Sequence, residues 1–222
     1  MNIFTFLSSL DVILYELMSW FVFFPITMWR LLRQPLATMR YAEEQLELEE
    51  DRQYLGTVSP PIMLILTIAL LQVVYMAVAG DNPILASRHV LAGLVDDNTS
   101  LFLLRLVLFG SFALILATRK VQRSAIDLDR QSLKPAFYAQ CYAIAPFALM
   151  VGCGMDAAAY PHAFAQIGGL LVIAGACLFY GIVQIRWFQR ELGQSFRRSF
   201  VDASMGMVAS IAVTITIGLL FR

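Results

Sequence analysis

The chain has 222 residues, of which 59% are hydrophobic and 14% charged, and its 16 Lys+Arg balance its 16 Asp+Glu. Soluble domains carry about 45–50% apolar and about 25% charged residues, so this composition excludes an ordinary water-soluble globule. The length suits one compact unit, and the neutral total conceals an asymmetry of charge along the chain.

Residues 1–10 contain no Lys or Arg, and Asp11 and Glu16 interrupt the apolar run that follows. The N-terminus therefore does not read as a cleavable signal, and neither end carries a lipidation motif. At about 100° per residue, Thr5, Ser8, Ser9, Asp11, Glu16 and Ser19 share one half of a helical wheel. Phe6, Leu7, Leu10, Ile13, Leu14, Leu17, Trp20 and Phe21 share the other. This pattern predicts an amphipathic helix lying in the membrane surface. A sixth span is the rival, and would place Asp11 and Glu16 in hydrocarbon at about 2.5–3.5 kcal/mol each near its centre. Next comes an acidic stretch with Glu43, Glu44, Glu47, Glu49, Glu50 and Asp51. It reads as a solvated linker or helix face, or as a docking surface for a basic partner.

A hydrocarbon core of about 30 Å needs about 20 mostly apolar helical residues. Five segments approach that: 60–78, 101–117, 136–151, 167–185 and 205–221. Ser59 is the expected N-cap of the first, with Pro60 and Pro61 in its first turn. Gly80 to Pro83 and Asp96 to Ser100 are expected turns, and Tyr160 and Pro161 mark the loop between the third and fourth spans. The expected fold is all-α: a polytopic membrane bundle of five transmembrane helices plus an N-terminal amphipathic interfacial helix. Residues 1–58 form a cytosolic segment in this reading, and residues 59–222 the five-span domain.

The loops give the orientation. Arg30, Arg33, Arg40 and Arg52 precede the first span. Arg119, Lys120, Arg123, Arg130 and Lys134 lie between the second and third, and Arg186, Arg190, Arg197 and Arg198 between the fourth and fifth. Only Arg88, Arg105 and Arg222 depart from this side. The positive-inside rule then predicts a cytosolic N-terminus and an outer C-terminus, in the inner membrane if the source is bacterial. The basic residues flank spans and serve orientation first, so no nucleic-acid partner is expected. The segment 186–200 reads as an interfacial anchor of aromatics and arginines.

Few residues offer chemistry. Arg105 sits one turn inside the second span and is expected to snorkel outward or pair with Asp96 or Asp97; the alternative is an anion or lipid-headgroup contact. Gln72, Gln140 and Gln184 are the polar residues at membrane depth, and Pro146 is expected to kink the third span. As delimited, the spans contain no His, Asp or Glu, which argues against hydrolysis inside the bilayer. His89 and His162 fall in outer loops without ligand spacing, so no metal or other cofactor is expected. Cys141, Cys153 and Cys177 read as small, buried, reduced side chains. Gly168, Gly169, Gly175 and Gly181 in the fourth span, and Gly206 and Ser210 in the fifth, are expected to let helices pack closely. That packing is within the monomer, or against a second copy or a partner's helix.

The stretch Gln140-Cys-Tyr142-Ala-Ile-Ala-Pro146-Phe-Ala-Leu-Met resembles the third span of the Yip-domain family, the Ypt/Rab-GTPase-interacting membrane proteins and their bacterial relatives. In that family a Tyr is often followed four residues later by Pro, as Tyr142 is by Pro146. Gly169 to Arg186 and Glu191-Leu-Gly193 resemble the next span and its loop. Phe24-Pro25 and Arg30 to Pro35 are similar to the family's approach to the membrane. The Asp-Leu-Tyr-Gly-Pro type motif of eukaryotic members is absent, which weakens the case for Rab-type GTPase binding. The resemblance implies a bacterial-type, non-enzymatic protein that acts as a scaffold or adaptor in membrane organisation, trafficking or complex assembly. Its partners would be the bilayer and a membrane or cytosolic protein or a second copy. The alternative expectation is a small permease or transporter subunit.

Overall fold

In the computed structural model, residues 3–79, 98–124 and 126–220 are described, and among them there are seven α-helices and no strand. The helices are α1 (Ile3–Arg33), α2 (Pro35–Glu44), α3 (Pro60–Ala79), α4 (Asn98–Arg123), α5 (Arg130–Ala159), α6 (Ala163–Leu192) and α7 (Phe196–Leu220). Five of them, α3 to α7, are long and apolar enough to cross a membrane. The protein is thus a polytopic membrane helix bundle preceded by an N-terminal helix.

Local chemistry sets the helix ends. Pro60 opens α3 as predicted, and the Met63 N–H reaches back to the Ser59 carbonyl at 2.8 Å. Asp129 closes a capping box: its carboxylate accepts from the N–H of Gln131 (2.9 Å) and Ser132 (2.7 Å), and Ser132 Oγ accepts from the Asp129 N–H at 3.0 Å. Two orphan donors of the first turn are satisfied reciprocally. Gly193 ends α6 at φ +59°, a left-handed C-cap that glycine adopts without penalty. The helices outrun the apolar windows because caps, not the first charged residue, stop a helix. The third span was expected at 136–151 and its helix runs Arg130–Ala159, unbroken through Pro135 and Pro146. α4 begins at Asn98, inside the expected turn. The expected turn at Gly80 to Pro83 lies outside the described residues.

The Asp129 carboxyl is held below its ordinary value, chiefly by the Ser132 backbone hydrogen bond. A depressed folded value means the cap is intact above the unfolded carboxyl range and fails as pH falls through the folded value. Asp129→Ala is expected to speed hydrogen exchange at Gln131 and Ser132, and Asp129→Asn to preserve most of the protection. Equal exchange in wild type and Asp129→Ala would show that the box contributes nothing.

α5 is the axis of the bundle. Of its apolar window 67% is buried, against 22% for α6 and for α7. It packs against α2, α3, α4 and α6, while α7 closes the bundle against α4 and α6. The α5 face is built of small residues, with Ala139, Ala143, Ala145, Ala148, Gly152 and Gly154 all buried, so neighbouring helices approach closely. Phe147 stacks on Tyr180 of α6 with centroids 4.6 Å apart, and Trp187 and Phe188 fill the end of the same seam.

The N-terminal segment does not hang free of this core. α1 packs its last turns inward through Thr27, Met28 and Leu31, whereas Tyr15, Met18 and Phe21 are exposed. After the elbow at Gln34, α2 buries Met39 and Ala42. Tyr54 then turns the chain in the left-handed region (φ +55°), held by its N–H to Gln45 Oε1 and its hydroxyl to the Ala42 carbonyl, both 2.8 Å.

Candidate functional site

Arg105 lies two turns inside α4 and is 5% exposed, so it neither snorkels outward nor faces lipid. Its Nη1 donates to Gln72 Oε1 of α3 at 3.2 Å, and its Nη2 lies 3.9 Å from Asp156 Oδ1 of α5. The guanidinium also stands 5.4 Å from the Tyr75 ring. Asp96 and Asp97, its expected partners, lie outside the described residues. The expectation of spans free of acidic residues is overturned: α5 extends far enough to bring in Asp156, and α7 starts early enough to bring in Asp202. Both are buried, at 7% and 3% exposure. The expected spans stopped short of both, at Val151 and at Met205. Asp156 follows Gly152 by one turn on the buried face of α5, and that spacing is the signal a longer window would have caught. The two carboxylates stand toward opposite ends of the bundle, each against arginine, so they are no acid–base pair.

A second polar layer lies at the other end. Lys120 of α4 places Nζ 2.6 Å from Glu43 Oε1 of α2 and 3.6 Å from Glu191 Oε2 of α6, and 4.8 Å from the Trp187 ring centroid. Arg40 of α2 reaches the other oxygen of Glu191 at 2.9 Å. Burial pushes the Glu43 carboxyl up, and the Lys120 ammonium pulls it back. Asp202 of α7 takes Arg119 at 2.7 Å and Arg123 at 2.9 Å, fastening α7 to α4.

Between these layers lie neutral pairs. Gln140 of α5 and Gln184 of α6 exchange two amide hydrogen bonds of 3.0 and 2.7 Å, both side chains wholly buried. The Tyr142 hydroxyl donates to the Val58 carbonyl at 2.6 Å and lies 3.2 Å from Thr57 Oγ1, pinning the loop before α3 onto α5. Pro146, one turn on, is buried within the unbroken helix. Of the sequence candidates, the fold unites Arg105 with Gln72, while Gln140 and Tyr142 each hold a different element.

The small residues divide. A Cβ on Gly169 would strike the carbonyl oxygen of Gly154 and the backbone of Ala158, so the α5–α6 crossing requires glycine there. Gly206 faces the Leu116 side chain, and Ser210 is buried with its hydroxyl on the Gly206 carbonyl at 2.8 Å. A Cβ added at Gly168, Gly175 or Gly181 would meet no atom of the described residues within 4 Å, so these three are not needed for close packing among them. Cys177 is exposed on the same helix, contrary to its expected burial, while Cys141 is buried and Cys153 intermediate. No family model, curated protein or solved structure matches the chain.

Proposed function

We propose that the protein is a non-catalytic membrane scaffold or adaptor, with its N-terminus in the cytosol and its C-terminus outside. One observation carries this reading. The N-terminal segment is clamped onto the spans by Arg40, Glu43, Lys120 and Glu191 and by the buried Met39 and Ala42. The exposed residues that follow, Glu44, Glu47, Glu49, Glu50 and Asp51 with Leu48 and Leu55, are therefore offered in a fixed arrangement. A rigid acidic surface with apolar points suits a basic protein partner, since preorganisation lowers the entropy lost on binding. The filled axis of the bundle, with Tyr142, Tyr180 and Trp187 fully buried around α5, also favours a structural role. The distribution of Lys and Arg supports the orientation. The similarity of 140–150 to the Yip-domain family supports membrane organisation as the setting, in the inner membrane for a bacterial source.

A small permease is the second reading, favoured by the buried Arg105–Asp156–Gln72 group, because ionisable residues at membrane depth often mark solute paths. Native mass spectrometry after gentle detergent extraction separates the two. The scaffold reading expects a stoichiometric protein partner that is lost when Glu44, Glu47, Glu49, Glu50 and Asp51 are changed to the amides. The same partner should persist in Arg105→Met/Asp156→Leu. A bare monomer or homo-oligomer whose reconstituted vesicles take up solute only when Asp156 is intact would overturn it.

A further inference from the structure

We propose that the groove between the α1–α2 elbow and α6 is a binding site for one anionic phospholipid. The groove has a volume of about 470 Å³ and is lined by Arg33, Gln34, Arg186, Arg190, Phe179 and Ile182, among others. On α6 the order is directional. Phe179, Ile182 and Arg186 follow at helical spacing on one face, and Arg190 lies one turn beyond Arg186. The stripe runs from apolar to cationic along the helix axis, which is the polarity of a phospholipid and not of a free anion. α6 has 30 residues, about 45 Å, and exceeds a hydrocarbon core of about 30 Å. Its basic end therefore stands at headgroup depth while Phe179 and Ile182 stand beside acyl chains.

Charge makes the groove selective. No carboxylate lines it, and among the described residues none pairs with Arg33, Arg186 or Arg190. Arg33 lies over the exposed Trp29 ring at 4.3 Å, an arrangement suited to the interface. The Gln34 side chain does not cap α2 and is free to donate. The neighbouring basic groove differs: Arg123, Arg197 and Arg198 share it with Asp202, which already neutralises Arg123. Guanidinium groups bind phosphate in planar, paired hydrogen bonds, and basic pockets beside membrane helices hold anionic headgroups. The site stands independently of the scaffold reading.

The test titrates the full chain in detergent with phosphatidylglycerol or phosphatidylcholine of identical acyl chains and counts bound lipid by native mass spectrometry. One phosphatidylglycerol should bind at least about tenfold tighter than phosphatidylcholine. Arg186→Gln/Arg190→Gln should abolish that preference, and Arg197→Gln/Arg198→Gln should retain it. Equal binding of the two lipids, or equal loss in both double variants, would overturn the site. So would displacement by inorganic phosphate at concentrations matching the lipid, which would make the ligand a soluble anion. Unchanged circular dichroism in both variants, expected for exposed arginines, keeps a folding failure from mimicking the result.

Discussion

Arg105→Met is expected to destabilise the bundle by up to about 3–5 kcal/mol, because it removes the guanidinium that stands 3.9 Å from the buried Asp156 carboxylate. The geometry explains the size of the effect. Arg105 and Asp156 are 5% and 7% exposed, so water cannot take over when one partner goes. Gln72 provides a neutral acceptor to Arg105 at 3.2 Å and cannot replace the lost charge. Asp156→Asn should cost less than Arg105→Met, since the amide still offers an acceptor to the guanidinium. The pair of substitutions Arg105→Met/Asp156→Leu should recover most of the loss, because buried ion pairs are often replaced by apolar pairs at little cost. Reversible unfolding of each variant in mixed detergent checks this. Additive losses in the double variant would mean that the two residues are not energetically coupled.

The second large effect belongs to Gly169. Gly169→Ala places a methyl group against the Gly154 carbonyl and the Ala158 backbone, and neither can yield unless α5 and α6 move apart. Overpacking of this kind costs typically about 1–3 kcal/mol, and Gly169→Leu should exceed it. Gly168, Gly175 and Gly181 supply the control, since a methyl group there meets nothing within 4 Å among the described residues. Alanine at those sites should be neutral or stabilising by up to about 1 kcal/mol, through helix propensity alone. The same thermal-shift series reads both classes. If Gly168→Ala proved as damaging as Gly169→Ala, the open face of α6 would be covered in the membrane, by a second copy or by a partner's helix.

Much of the architecture was legible because lipid imposes a simple rule on the backbone. Every span must satisfy its own hydrogen bonds, so apolar length alone marks the helices. Ser59 and Pro60 placed the start of α3 correctly for a local reason that needs no tertiary contact. The helix faces were much harder to read. In water a polar stripe tells the outside of a helix from the inside, whereas in lipid both faces are apolar. Gly168 and Gly169 were therefore indistinguishable in sequence, though one meets open space and the other a carbonyl. The polar contacts were hidden for a related reason. Lys120 finds Glu43 across 77 positions and Arg119 finds Asp202 across 83, and nothing local announces such pairs. Gln140 and Gln184 both drew notice as polar residues at depth, but their pairing became visible only when α5 and α6 were set side by side.

The Arg105–Asp156 contact also sets an order of events during synthesis. Arg105 lies on α4 and Asp156 near the end of α5, so the ribosome delivers the cation first. Until the far end of α5 has been made, the Asp156 carboxylate is not there to meet the guanidinium of α4. Arg105 sits only two turns from the start of that helix, within the reach of a long side chain to the headgroups at that end. The nascent chain can thus park Arg105 at the membrane surface and withdraw it when the carboxylate arrives. Packing of α4 against α5 at this end of the bundle then follows insertion, with the capture of this arginine as its latch.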